Sequence, residues 1–260
     1  MSAVRPLRNV ASSATVRANR ALPEIETFAS RSPLVVFDLD GTLVDTAPDL
    51  AASLNHCCDT ADLPVSTLNA VRVDAGRGAQ AMLRAAYARA GRELSAVELA
   101  DQTERFLGYY RANIAVHSQL YPGALEALDR LARSGARLAV CTNKTEALAV
   151  RLLDALQLSD RFAAICGADT FSGRKPDPVH LLGTIARAGS DLRSTVMIGD
   201  SATDMDAARR VGIPAVLVTF GYDTGPSVRQ IADAAIERYD DLDVDLLSRL
   251  FDDRHEFRAI

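Results

Sequence analysis

The chain has no apolar run approaching the roughly 20 residues that a membrane-spanning helix needs. Nor does it carry an excess of basic charge. Its formal net charge is −5, which gives no electrostatic footprint for nucleic acid or a membrane surface. The four cysteines, Cys57, Cys58, Cys141 and Cys166, fall at no C-x-x-C or Cys/His metal spacing. Adjacent cysteines rarely pair, so all four are read as reduced, partly buried thiols of a cytoplasmic protein. A secretory signal is also missing, because residues 1–32 hold no apolar core of that kind. The first 23 residues carry Arg5, Arg8, Arg17 and Arg20 and no acid. That composition fits a disordered extension or a transit peptide; the extension is the reading adopted.

What is present is the composition of a globular protein, 48% hydrophobic and 24% charged over 260 residues. Such a length predicts one large domain with an appendage. Short apolar runs recur at LVVFD (34–38), RLAVCTN (137–143), TVMIGD (195–200) and PAVLVTF (214–220), with a weaker one at FAAICG (162–167). Near-continuous Val/Ile/Leu runs mark parallel strands covered on both faces. Helical periodicity alternates with them at 124–135, 144–158, 179–189 and 204–212, and three of these stretches end in glycine. The fold class predicted is α/β, a doubly wound, Rossmann-like parallel sheet.

One interval breaks the rhythm. About 95 residues separate the first two strands where a βαβ unit needs about 30. The excess is helical in pattern, at 46–63, 78–91 and 95–115, which predicts an all-helical cap inserted at 46–118 into a core of 33–45 and 119–260. The acidic stretch 237–253 reads as an amphipathic terminal helix on that core.

Open α/β sheets bind ligands at the carboxyl ends of their strands. Asp38 and Asp40 end the first strand there, Thr142 and Asn143 the second, and Asp200 and Asp204 follow a later one. Lys175, in the loop GRKPDP, can join them. Asp38 and Asp40 are two residues apart on an extended segment, so both carboxylates leave the same face. Acids that close persist where a cation lies between them or where one keeps a proton. Oxygen donors without His or Cys suit Mg²⁺. Carboxylates, a hard cation and a lysine together describe phosphoryl transfer. The four histidines, His56, His117, His180 and His255, show no partner pattern. Asp45, Asp177 and Asp206 are read as turn, cap or helix-surface groups, with Asp177 also placed to orient Lys175.

DLDGTLVD (38–45), TNK (142–144), KPDP (175–178) and GDSATD (199–204) together resemble the four motifs of the haloacid-dehalogenase superfamily, over about residues 33–250. Within it, GRG (76–78), YPG (121–123) and FGY (220–222) are similar to stretches of phosphoglycolate phosphatases. The resemblance implies that Asp38 attacks phosphorus and forms an aspartyl-phosphate. It implies that Asp40 protonates the leaving alkoxide and then takes a proton from water. The negative charge nearby is expected to help Asp40 hold its proton. Mg²⁺ would sit on an Asp38 oxygen, the Asp40 carbonyl and Asp200, with Asp204 as ligand or outer acceptor. Thr142 and Lys175 would hold the phosphoryl group, Asn143 assisting, while Gly41 lets backbone N–H groups approach it. Arg77 is the candidate for the substrate's second anionic group.

The partner expected is a small phosphorylated metabolite, with no nucleic acid and no membrane; the chain could be a monomer or a homodimer. A dehalogenase would need no second acid, and Asp40 is present. A sugar-phosphate phosphatase or mutase stays the alternative. A non-catalytic phosphate sensor would lack Asp38, Asp40, Lys175 or Asp200, and none is lost.

Overall fold

The structure, a computed structural model, describes residues 32–257, with side chains as far as Asp252. All but the last residue of the expected extension at 1–32 lies outside that range. Six parallel strands form the main sheet: β1 (Leu34–Phe37), β4 (Arg137–Cys141), β5 (Ala164–Cys166), β6 (Thr195–Gly199), β7 (Ala215–Val218) and β8 (Ala234–Ile236). Their order is β5-β4-β1-β6-β7-β8, which puts the earliest strand at the centre, between β4 and β6.

Strand alternation sorts the core. Val35, Phe37, Leu138, Val140, Val196 and Ile198 face one apolar cluster, while Leu34, Val36, Ala139, Cys141 and Met197 face another. Helices α5 (Ala124–Arg133), α6 (Glu146–Ala155) and α10 (Val244–Phe257) cover the first face through Leu128, Leu152 and Leu247. The second is covered by α7 (Pro178–Arg187) and α8 (Ala202–Val211) through Leu181, Ile185 and Met205, with α9 (Pro226–Arg229) adding Val228. All four side chains of β1 are fully buried. At about 1.5–3 kcal/mol per large apolar side chain, this strand is a principal source of stability as well as the base of the site.

Between β1 and β4 the chain makes a two-stranded antiparallel ribbon, β2 (Val44–Asp45) with β3 (Gln119–Leu120). The helical residues leave and return through it: α1 (Ala47–Thr60), α2 (Leu68–Ala75), α3 (Ala79–Arg89) and α4 (Ala96–Ala112). Asp49, in the first turn of α1, ties exit to return. Its buried carboxylate accepts from the His117 and Ser118 N–H groups and from Ser118 Oγ, at 2.6–3.1 Å.

Helix α2 and the ribbon were not anticipated from periodicity. LNAVRVDA carries valines at spacing two, and the helix rests on its cap, where Thr67 Oγ1 accepts from Ala70 N–H. The terminal stretch also differs from expectation, opening with a 3₁₀ turn at Tyr239–Asp241 before α10 begins. Arg130 donates to the Tyr239 and Leu242 carbonyls at 2.7 and 2.9 Å, and the Tyr239 carbonyl also closes the 3₁₀ turn by accepting from Leu242 N–H at 3.1 Å.

Candidate active site

Beyond Phe37 the sheet continues for one bond, Asp38 N–H to Ile198 O at 2.9 Å, and then the chain turns. Leu39 plunges into the core and its carbonyl gathers the N–H groups of Leu43 and Val44. Asp38 and Asp40 are thereby left at the crest of the central strand on a rigid turn. Gly41 allows it: its φ is +82°, and a Cβ there would lie 2.4 Å from Asp200 Oδ2. Its own N–H donates to Val44 O at 2.9 Å, and Asp200 lies in the space beside it.

Lys175 is buried between two acids, its Nζ 2.9 Å from Asp38 Oδ1 and 2.6 Å from Asp204 Oδ1. Its backbone is fixed as well. Asn143 Nδ2 donates to its carbonyl at 2.9 Å, and its own N–H donates to His180 Nδ1 at 3.2 Å. Asp177 caps α7 by accepting from Val179 N–H at 2.9 Å, which shapes the same loop without touching the lysine side chain. The other oxygen of Asp204 accepts from the N–H and Oγ of Ser201, so this acid caps α8 and holds Lys175 at once. Asp200 accepts from Thr42 Oγ1 at 3.0 Å and from Tyr222 N–H at 2.7 Å.

Asp40 belongs to a second pair. Lys144 Nζ lies 3.0 Å from its Oδ1, and Thr46 Oγ1 donates to the same oxygen at 2.6 Å. The charge closest to Asp40 is thus a cation, not Asp38 as the sequence led one to expect. Each of the acids that the strand brings close thus has its own lysine, from a different loop. Lys144 also donates to Tyr110 OH of α4 at 3.1 Å, and stands 4.7 Å from the ring centroid.

Burial dominates the electrostatics. It pushes the Asp38 carboxyl up from 3.8 to about 6, against the pull of Lys175. Asp200 rises well above its usual range, first through burial and then through Asp204 and Asp38. Burial works against the charge on Lys175, but Asp204 and Asp38 outweigh it and raise its pKa. Oxygens of Asp38, Asp200 and Asp204 lie within 4.8 Å of one another, and among the described residues these are the acids grouped closely enough to share an ion. A set of hard oxygen donors short of positive charge fits a divalent cation such as Mg²⁺. The Asp40 carboxylate is outside the group, which leaves its backbone carbonyl as its route to a metal.

A cavity of about 290 Å³ opens over this crest, lined from the core by Asp38, Asp40, Thr142 and Lys144, and from the helices by Arg77 and Tyr110.

Residues 35–218 match the family described as haloacid dehalogenase-like hydrolase. The chain belongs to this family. It is an enzyme of the family's phosphatase class. Over 219 residues it is 47% identical to a phosphoglycolate phosphatase of Agrobacterium fabrum, covering 84% of this chain and 94% of that one. Identity to the phosphoglycolate phosphatase of Caulobacter vibrioides is 44%, over 80% of this chain and 88% of the other. A crystal structure described as a predicted phosphoglycolate phosphatase from Haemophilus somnus superposes with a TM-score of 0.75 at 30% identity, spanning 84% of this chain and 97% of that one.

For this haloacid dehalogenase-like hydrolase, Asp38, Asp40, Thr142, Asn143, Lys175, Asp200 and Asp204 converge as the motif order implied. Arg77 does not join them closely. Its side chain is 73% exposed and leans on Asp74 at 3.3 Å. Sequence reasoning missed Lys144, Tyr110, Tyr222 and His180. Lys144 stood inside the TNK motif, and Tyr222 inside FGY, so both had a signal. Tyr110 had none, since it acquires its partner through a contact distant in sequence, whereas His180 lies two residues beyond KPDP and meets the Lys175 N–H within that same segment.

Proposed function

We propose that the chain hydrolyses 2-phosphoglycolate to glycolate and phosphate at a Mg²⁺-dependent site, through an aspartyl-phosphate on Asp38. The separation of the two acids carries this reading. Asp38 is held by Lys175 and Asp40 by Lys144, so chemically identical groups sit in different surroundings and suit different tasks.

An Asp38 oxygen attacks phosphorus while the bond from phosphorus to the glycolate oxygen breaks. Asp40 gives its proton to that oxygen. In the second half, Asp40 takes a proton from water as the water attacks phosphorus, and the bond to Asp38 breaks. Thr142 and Lys175 face the transferring group. Asp38, the Asp40 carbonyl and Asp200 would hold a Mg²⁺, which would supply positive charge against the oxygens of that group. Asp204, with both oxygens engaged, serves best as the anchor of Lys175. The helices over the crest act as a cap that excludes water. Two observations suit the cytoplasm: all four thiols are free and buried, and among the described residues no helix is long and apolar enough to cross a membrane.

Phosphate release from 2-phosphoglycolate, with and without Mg²⁺, tests the reading. Turnover is expected with the metal alone, and Asp38→Asn is expected to remove it while the fold persists. Substantial activity in that variant would overturn the nucleophile. Isomerised sugar phosphate without released phosphate would replace the hydrolase by a mutase.

A further inference from the structure

We infer that Lys144, oriented by Tyr110, is the specificity residue that receives the substrate's carboxylate. The inference rests on the proposed reaction and says which residue selects the substrate.

The argument begins with the substrate's size. In 2-phosphoglycolate one methylene separates the ester oxygen from the carboxylate carbon. The group that protonates the ester oxygen and the group that binds the carboxylate can therefore be immediate neighbours, within hydrogen-bond contact of each other. Lys144 Nζ is 3.0 Å from Asp40 Oδ1. Of the other cations near the cavity, Lys175 already serves two carboxylates, Arg77 is 73% exposed beside Asp74, and Arg174, which also lines the cavity, is exposed. The Lys144 side chain is 6% exposed and lines the cavity beside the acid–base. An ammonium has three N–H donors. Asp40 and Tyr110 account for two among the described residues, which leaves one for a ligand.

Burial gives that remaining donor its worth. The Lys144 side chain is 6% exposed and held between Asp40 and Tyr110, so water screens its charge little. Tyr110 is itself buried on α4. The helical insertion therefore contributes the residue that aims the lysine. A substrate with a longer tail would carry its second anion past this ammonium, and one with a neutral tail would leave it unanswered.

The test compares 2-phosphoglycolate with ethyl phosphate, which has the same backbone and no carboxylate. In the native enzyme, kcat/KM is expected to favour 2-phosphoglycolate. Lys144→Met should lower kcat/KM for 2-phosphoglycolate on the order of 10- to 100-fold more than for ethyl phosphate. Tyr110→Phe keeps the ring and should raise KM in the same selective direction, by a smaller factor. Equal losses on both substrates would overturn the inference and leave Lys144 as a support for Asp40, with the proposed reaction standing. If Lys144→Met does not fold, the selectivity of Tyr110→Phe decides by the same criterion. A native enzyme that hydrolyses both esters equally well would sink the substrate reading and this inference together.

Discussion

At Gly41 a single hydrogen atom takes the place where any side chain would strike the site. A Cβ there meets Asp200 Oδ2 at 2.4 Å and the Tyr222 ring at 2.8 Å, and φ is +82°. Alanine would add backbone strain of about 1 kcal/mol and push aside an acid of the proposed metal group. Gly41→Ala is therefore expected to raise the Mg²⁺ concentration needed for half-maximal phosphate release by tenfold or more, with a smaller fall in stability. An unchanged Mg²⁺ dependence would show that Asp200 tolerates displacement. The placing of Asp38, Asp200 and Lys175 near one sheet edge was legible from the strand pattern and the motifs, while the roles proposed for them rest on the family resemblance. Environment was not legible: the cation beside Asp40 arrives from the loop after β4, and its exposure follows from a helix packed above it.

Among the elements, the β2–β3 ribbon and Asp49 decide how the helices are held. Asp49 satisfies two backbone N–H groups and one hydroxyl from inside the protein, so its loss leaves buried donors without an acceptor. Asp49→Ala should lower the unfolding free energy by on the order of 3 kcal/mol, read as a shift of the urea midpoint. A change within a few tenths would mean that water replaces the carboxylate. Above the ribbon, Tyr222 OH donates to Asp45 Oδ1 at 2.8 Å and accepts from Ala47 N–H at 2.9 Å, while Arg72 of α2 pairs with Asp45 Oδ2 at 2.8 Å. Asp45, read from the sequence as a turn group, joins core to insertion. Long periodic helices such as α4 were plain in the sequence. A two-residue strand and an eight-residue helix have too few positions to show a period, and they exist because their partners hold them.

Across the whole molecule, acid sensitivity follows from groups kept neutral inside. His180 is fully buried, and burial together with the Lys175 cation lowers its pKa from 6.5 to about 4. Above pH 6.5 it is neutral in both folded and unfolded chains. Between pH 6.5 and about 4 the unfolded chain binds the proton and the folded one does not, so the His180 contribution to stability falls as pH falls through that window, while Asp38, raised by burial to about 6, contributes the opposite slope below that pH. The His180 share is read as a difference: denaturant midpoints of the native protein should fall relative to those of His180→Asn as pH drops from 6.5 to about 4, and parallel curves would show that His180 contributes nothing to the response. The central position of β1 has a temporal consequence. Its partners start at Arg137 and Thr195, so during synthesis the strand that leads to Asp38 emerges before both of them and waits for much of the chain. The helices that follow make contacts near in sequence and can assemble first. On the ribosome this enzyme would acquire the roof of its site before the floor, with four apolar residues of β1 left in need of shelter until β4 arrives.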